Sequence, residues 1–172
     1  MSNYLRNYQT NGIYFFTLNL NDRRKSYLTD NFSILQCSMN KVRKNKPFKM
    51  LAWVVLPNHL HLLWSMPGCD NNYSERIRAL KVLFCKGLER GSIESPVLHR
   101  IWQPRFWEHT IKSNEDLNAH INYIHINPVK HGYVSNVYDW PYSSFHYFFD
   151  KGKYSKEWAG TWNKSKDMSF GE

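Results

Sequence analysis

His59 and His61, one residue apart, stand in the stretch Val54-Val55-Leu56-Pro57-Asn58-His59-Leu60-His61-Leu62-Leu63-Trp64. In an extended segment side chains alternate faces, so both imidazoles project from one side, about 7 Å apart, while Leu60 and Leu62 enter the core. Two imidazoles at that spacing can chelate one divalent cation. Being neutral, they leave the ion its positive field for an anionic ligand such as a phosphodiester. The same pair equally describes two polar residues on a half-buried strand, and a third ligand decides between the two.

The segment from Ser113 to Asn127 supplies candidates. Leu117, Ile121 and Ile124 make an apolar helical stripe, and Asp116, His120, Tyr123 and Asn127 fall on the other side. Tyr123 and Asn127 are i and i+4, so they reach one patch. A tyrosine beside an amide that can ligate a metal is a workable nucleophile arrangement. The alternatives are a residue at the edge of the core for Tyr123 and a helix cap before Pro128 for Asn127. Nothing in the spacing brings this helix to the histidine strand.

The elements that must position these groups follow from pattern. Residues 13–20 are β-branched and aromatic and predict a buried strand. Asp30 can cap a helix carrying Phe32, Leu35, Met39 and Val42 inward, which Pro47 closes. Residues 48–56 and 59–66 predict two strands joined at Pro57-Asn58, a hairpin. Residues 74–90 predict a helix with Ile77, Leu80, Phe84 and Leu88 inward and Arg76, Lys81 and Arg90 outward. Residues 101–111 read as a strand interrupted by Pro104. Ser113 with Asp116 resembles a capping box opening a helix that Pro128 terminates. One short helix is expected after Trp140-Pro141. The order β-α-β-β-α-β-α predicts an α+β fold, one antiparallel sheet with helices packed on it, over residues 1–150, with residues 151–172 a polar basic tail.

The 172 residues are 42% hydrophobic and 22% charged, an ordinary globular composition for one domain. Lys and Arg number 23 against 14 Asp and Glu, a net charge of +9, which favours an anionic partner. The basic run from Arg23 to Lys49, with Arg23, Arg24 and Lys25 at its head, and the side of Arg76, Arg78 and Lys81 are the expected phosphate contacts. Trp102, Phe106, Trp107 and Trp140 are candidate platforms for unpaired bases, each of them equally a core residue. The apolar run from Leu51 to Leu56 is far short of the ~20 residues a membrane span needs. A polar stretch from Met1 to Gly12 and three cysteines without metal-type spacing predict a reduced, cytoplasmic protein.

The blocks VVLPNHLHLLW (54–64) and YIHINPVKHGYV (123–134) resemble those of the single-tyrosine HUH transposases. Within that superfamily the chain is similar to the REP-associated tyrosine transposases, solitary relatives of insertion-sequence 200-type transposases. YFFTLNLNDRR (14–24), IWQPRFWEHTI (101–111) and DWPYSSFHYF (139–148) extend the likeness to five blocks in order over residues 12–150. The resemblance implies a ferredoxin-like or RRM-like sheet with both histidines on a central strand. It implies His59 and His61 as ligands of a divalent metal, Mg or Mn, with Tyr123 the nucleophile. Asn127 falls where relatives place a third ligand, often Gln, Glu or Asp, and His120 and His125 beside the tyrosine are further candidates. The implied reaction cleaves and rejoins single-stranded DNA next to a hairpin of repetitive extragenic palindrome type through a 5′-phosphotyrosine, by a monomer or homodimer. The competing readings are a domesticated hairpin-binding module without turnover and a metal-dependent hydrolase using water.

Overall fold

The computed structural model describes residues 8–89 and 101–158. Four strands, β1 (Ile13–Asn19), β2 (Lys49–Val55), β3 (His59–Ser65) and β4 (Trp107–Thr110), form one antiparallel sheet in the order β2-β3-β1-β4. With helices α1 (Tyr27–Asp30) and α2 (Phe32–Asn45) after β1, and α3 (Tyr73–Glu89) after β3, this is the ferredoxin-like βαββαβ arrangement expected. Helix α4 (Asn114–Lys130) and a short α5 (Phe145–Asp150) follow β4.

Both faces of the sheet are covered, which is why β1 is apolar almost throughout instead of alternating. On one side Tyr14, Phe16, Leu18, Leu60, Leu62 and Trp64 join Leu35 and Val42 of α2 and Ile77, Leu80, Phe84 and Leu88 of α3 in the main core. On the other, Phe15, Ala52, Val54 and Leu63 pack against Tyr123 and Ile124 of α4. The register of β1 and β3 pairs Asn19 with His59, Thr17 with His61 and Phe15 with Leu63. Both histidines therefore face α4, on a strand interior to the sheet.

Several boundaries differ from expectation. Asp30 ends α1 rather than capping α2, and Asn31 stands between the two helices, its Nδ2 donating to Tyr27 O at 3.0 Å. The last strand is confined to Trp107–Thr110, with a separate bridge from Trp102 to Leu20; Pro104, lacking an N–H, stands between the two pairings. Helix α4 opens as foreseen, Ser113 Oγ accepting from Asp116 N at 3.1 Å, but runs through Pro128 to Lys130. It closes in a Schellman motif, with Gly132 at φ 72°, its N–H on Val129 O at 3.0 Å and the Tyr133 N–H on Pro128 O at 2.9 Å. The segment from residue 151 does not begin a tail: Tyr154 and Trp158 pack on Phe145 at 5.2 and 5.9 Å between ring centroids. Arg90 and residues 159–172 lie outside the described residues.

Arg76 and Lys81 point inward, not outward. Arg76 is 1% exposed. Its guanidinium donates to the carbonyls of Lys46, Asn72 and Pro47 at 3.0–3.2 Å and pairs with Asp70 at 2.9 Å. Lys81 Nζ donates to Gln103 O at 2.7 Å and lies against the rings of Trp102 and Phe106. These cations satisfy carbonyls of the segments before β2, α3 and β4.

Candidate active site

The two histidines are held by neighbours on the sheet and in the turn. Thr17, the cross-strand partner of His61, sets its Oγ1 2.9 Å from His61 Nδ1. Asn58 Oδ1 lies 2.7 Å from His59 Nδ1 and, being an acceptor, takes a hydrogen bond from that nitrogen, which keeps its hydrogen. In that tautomer the His59 lone pair is on Nε2, the state a metal-ligating imidazole needs. The rings are 5.1 Å apart between centroids at 84°. They are 1% and 0% exposed, so the polar, open strand face expected from the sequence is instead roofed by α4.

Helix α4 brings the tyrosine to them. Tyr123 meets His61 edge-on at 5.3 Å and Phe15 at 5.9 Å. It does not stand off the apolar stripe; it is fully buried beside Ile124, because α4 is enclosed between the sheet and the α5 layer. Lys130 Nζ lies 3.5 Å from Tyr123 Oη and 4.9 Å from the ring centroid. Asn127, also buried, donates from Nδ2 to Tyr123 O at 3.3 Å, and its Oδ1 has no hydrogen-bond partner among the described residues. A buried amide oxygen without a donor is costly, so this atom fits a cation ligand. Two imidazoles and this oxygen are a donor set for a divalent ion, one that suits Mn or a softer ion better than Mg.

Three further residues at the site escaped sequence reasoning. Lys130 and His131, whose ring is 5.0 Å from that of His59, are i+7 and i+8 from Tyr123, but ending the helix at Pro128 hid their periodicity. Thr17 becomes visible once the β1–β3 register is known. Of the basic candidates, Arg23, Arg24 and Lys25 are exposed on the loop after β1. That loop adjoins the site, for Arg23 Nη1 donates to Asn19 Oδ1 at 2.5 Å and Asn58 Nδ2 donates to Arg23 O. Arg24 is held by both carboxylate oxygens of Asp22 at 3.0 Å, and its hydrogen bonds lower the Asp22 carboxyl to about 2. Arg78 is exposed on α3, across the sheet from α4. Trp102 is core, whereas Trp107 is 37% exposed beside Phe15.

The other histidines of α4 do not join His59 and His61. His125 faces away from the sheet, its Nε2 2.8 Å from Ser144 Oγ and its Nδ1 3.1 Å from Tyr154 Oη; burial lowers it to about 3. His120 lies with His109 and Asp116 in a cluster whose ligand atoms are all within 4.8 Å of one another, an arrangement that fits a divalent metal.

No family model matches the chain. A REP-associated tyrosine transposase of Escherichia coli strain K12 is 44% identical over 172 residues, all of this chain and 98% of the relative. A relative from Haemophilus influenzae is 45% identical over 166 residues, 93% of this chain and 94% of its own. The solved structure of a REP-associated tyrosine transposase bound to a REP hairpin superposes with a TM-score of 0.87 at 42% identity, covering 100% of this chain and 98% of that one. A Deinococcus radiodurans structure, 15% identical with a TM-score of 0.50, covering 69% of this chain and 92% of its own, shares the fold alone. Near-complete coverage at this identity, on a sheet that carries the paired histidines under a tyrosine-bearing helix, makes the chain a member of the REP-associated tyrosine transposase family.

Proposed function

We propose that this protein cleaves and rejoins single-stranded DNA next to a REP-type hairpin, with Tyr123 as nucleophile and a divalent ion, Mg or Mn, held by His59, His61 and Asn127. The observation that carries the reading is the edge contact of Tyr123 with His61, with the Asn127 oxygen, which has no partner among the described residues, one turn farther along the same helix. The ion, when bound, supplies charge stabilisation to the non-bridging oxygens of the scissile phosphate.

The chain's own groups do the rest. Tyr123 Oη forms a bond to phosphorus and gives up its proton. The P–O3′ bond breaks, the 3′ oxygen leaves as a hydroxyl, and the protein remains on the 5′-phosphate. Lys130, at Tyr123 Oη, opposes the negative charge that the phenol oxygen carries as it attacks and again as it departs in the reverse step. Because the phosphotyrosine preserves a phosphodiester, a second 3′-hydroxyl can reseal the strand without a nucleotide cofactor. Arg23, Lys25 and the exposed cations of α2 bind the backbone, and Trp107 offers a face for an unpaired base. The relative solved with a REP hairpin supports hairpin DNA as the partner, and DNA as substrate points to work in the cytoplasm. No described helix is long and apolar enough to cross a membrane.

The test is incubation of wild type and Tyr123→Phe with hairpin-flanked single strands in Mg or Mn, followed by denaturing gels. Wild type should form a covalent protein–DNA species mapping to Tyr123. The Phe variant should form none while keeping its DNA affinity. Cleavage without an adduct would establish water as the nucleophile, and tight binding with neither would establish a binding module.

A further inference from the structure

A second group of ligands lies on the same face of the sheet. His109 comes from β4, Asp116 from the first turn of α4, and His120 from the next turn. Asp116 Oδ2 is 2.9 Å from His109 Nε2, and its Oδ1 is 2.9 Å from His120 Nδ1. The two imidazoles stack at 4.7 Å and 11°, so both present their nitrogens to one carboxylate. Phe15 separates this group from the first, with its ring 5.3 Å from His61 and 4.9 Å from His120.

The geometry points to a second cation site, made of His109, Asp116 and His120 and suited to a borderline transition ion such as zinc. Tetrahedral zinc with nitrogen and oxygen ligands at about 2.0–2.2 Å holds them about 3.3 Å apart, within the span these atoms already occupy. Two imidazoles and one carboxylate favour zinc, cobalt or nickel over magnesium, which prefers an all-oxygen shell. The side chains of His109 and Asp116 are 29% and 22% exposed, which gives the ion a route in and leaves room for a water as fourth ligand. Ion binding here ties β4 to α4, the helix that carries Tyr123.

Zinc titration against a chromophoric chelator, without DNA, tests this, together with thermal unfolding with and without zinc. The double variant His59→Ala/His61→Ala should keep one tight zinc equivalent and a zinc-dependent rise in Tm. His109→Gln, which preserves a hydrogen-bonding group toward Asp116, should lose that equivalent. The affinity drop should exceed the ~10–100-fold typical of losing an outer-shell partner. Asp116→Asn, nearly isosteric, is the second variant and should behave alike. Zinc binding abolished by the double alanine change, or unaltered in His109→Gln and Asp116→Asn, would overturn the site. The proposal does not depend on the phosphotyrosine reading, and neither outcome bears on it.

Discussion

Lys130 Nζ lies 3.5 Å from Tyr123 Oη, two turns farther along α4, and the two side chains share one side of the helix. A fixed ammonium at the oxygen that gains charge stabilises the transition state of attack and, by reversibility, of rejoining. Lys130→Met should slow both directions by ~10²-fold, the scale of losing one preorganised donor, with hairpin affinity nearly unchanged. Lys130→Arg should recover most of the rate. Single-turnover cleavage followed by resealing with an added 3′-hydroxyl strand measures both. Equal rates in the Met variant and wild type would remove Lys130 from the chemistry.

Thr17 acts through His61. Thr17→Val keeps the β-branched shape in the sheet but removes the hydroxyl at His61 Nδ1. The expected result is a ~10–100-fold higher Mn concentration for half-maximal cleavage, with the rate at saturating Mn close to wild type. A Mn titration identical to wild type would show that the hydroxyl does not orient the imidazole.

Arg76 and Lys81 look like phosphate contacts in the sequence and act as clips in the structure. Lys81→Met leaves Gln103 O without its donor and should lower stability by about 1–3 kcal/mol while hairpin affinity stays within twofold. Urea unfolding and DNA titration on the same sample separate the effects. A large affinity loss at unchanged stability would restore the surface role.

The contrast shows what was legible. The inward faces of α2 and α3 follow from local periodicity, because one partner layer explains each pattern, the hairpin follows from the turn at Pro57-Asn58, and β1, covered on both faces, reads as a continuous apolar run. Helix α4 does not read that way. It is buried on more than one side, so Tyr123 and Asn127 resemble a polar face in sequence and are core in space. Pro128 reads as a stop because it lacks the N–H that would bond the Ile124 carbonyl, yet the helix runs on to Lys130 and is closed by the bonds of Gly132 and Tyr133 to Val129 and Pro128, so Lys130 and His131 fall outside the helix that the sequence predicts. Arg76 and Lys81 mislead for a related reason: composition records their charge, but the carbonyls of Lys46, Pro47 and Gln103 that they meet belong to loops distant in sequence.

Salt dependence tests the basic loop. Each backbone phosphate contact on single-stranded DNA adds about 0.7 to the slope of log affinity against log salt. Arg23→Ala and Lys25→Ala should each flatten the slope by about that amount. Arg24→Ala should change it less, because Asp22 already engages that guanidinium. Asp22→Asn releases Arg24 and should steepen the slope. Slopes indifferent to all four changes would place the DNA path elsewhere.

Acid should destabilise the protein through His125. Burial lowers this imidazole from 6.5 to about 3, and its partners Ser144 and Tyr154 are neutral at these pH values, Tyr154 being raised by burial to about 12. Between those two values the unfolded chain binds a proton at this position that the folded chain does not, so stability rises with pH there and falls on acidification. The limit is about 1.4 kcal/mol per pH unit for one such group. His120, also lowered chiefly by burial, acts in the same direction. His125→Gln removes the proton site while keeping hydrogen-bonding groups toward Ser144 and Tyr154. It should be less stable than wild type at pH 7.5 because the ring's packing against Phe145 and Phe148 is lost. Its stability should nonetheless decline less between pH 6.5 and 4.5. Urea midpoints for both proteins across that interval provide the measurement. Parallel declines would mean that His125 accepts its proton without unfolding, and that the layer formed by α5, Tyr154 and Trp158 opens more readily than its packing implies.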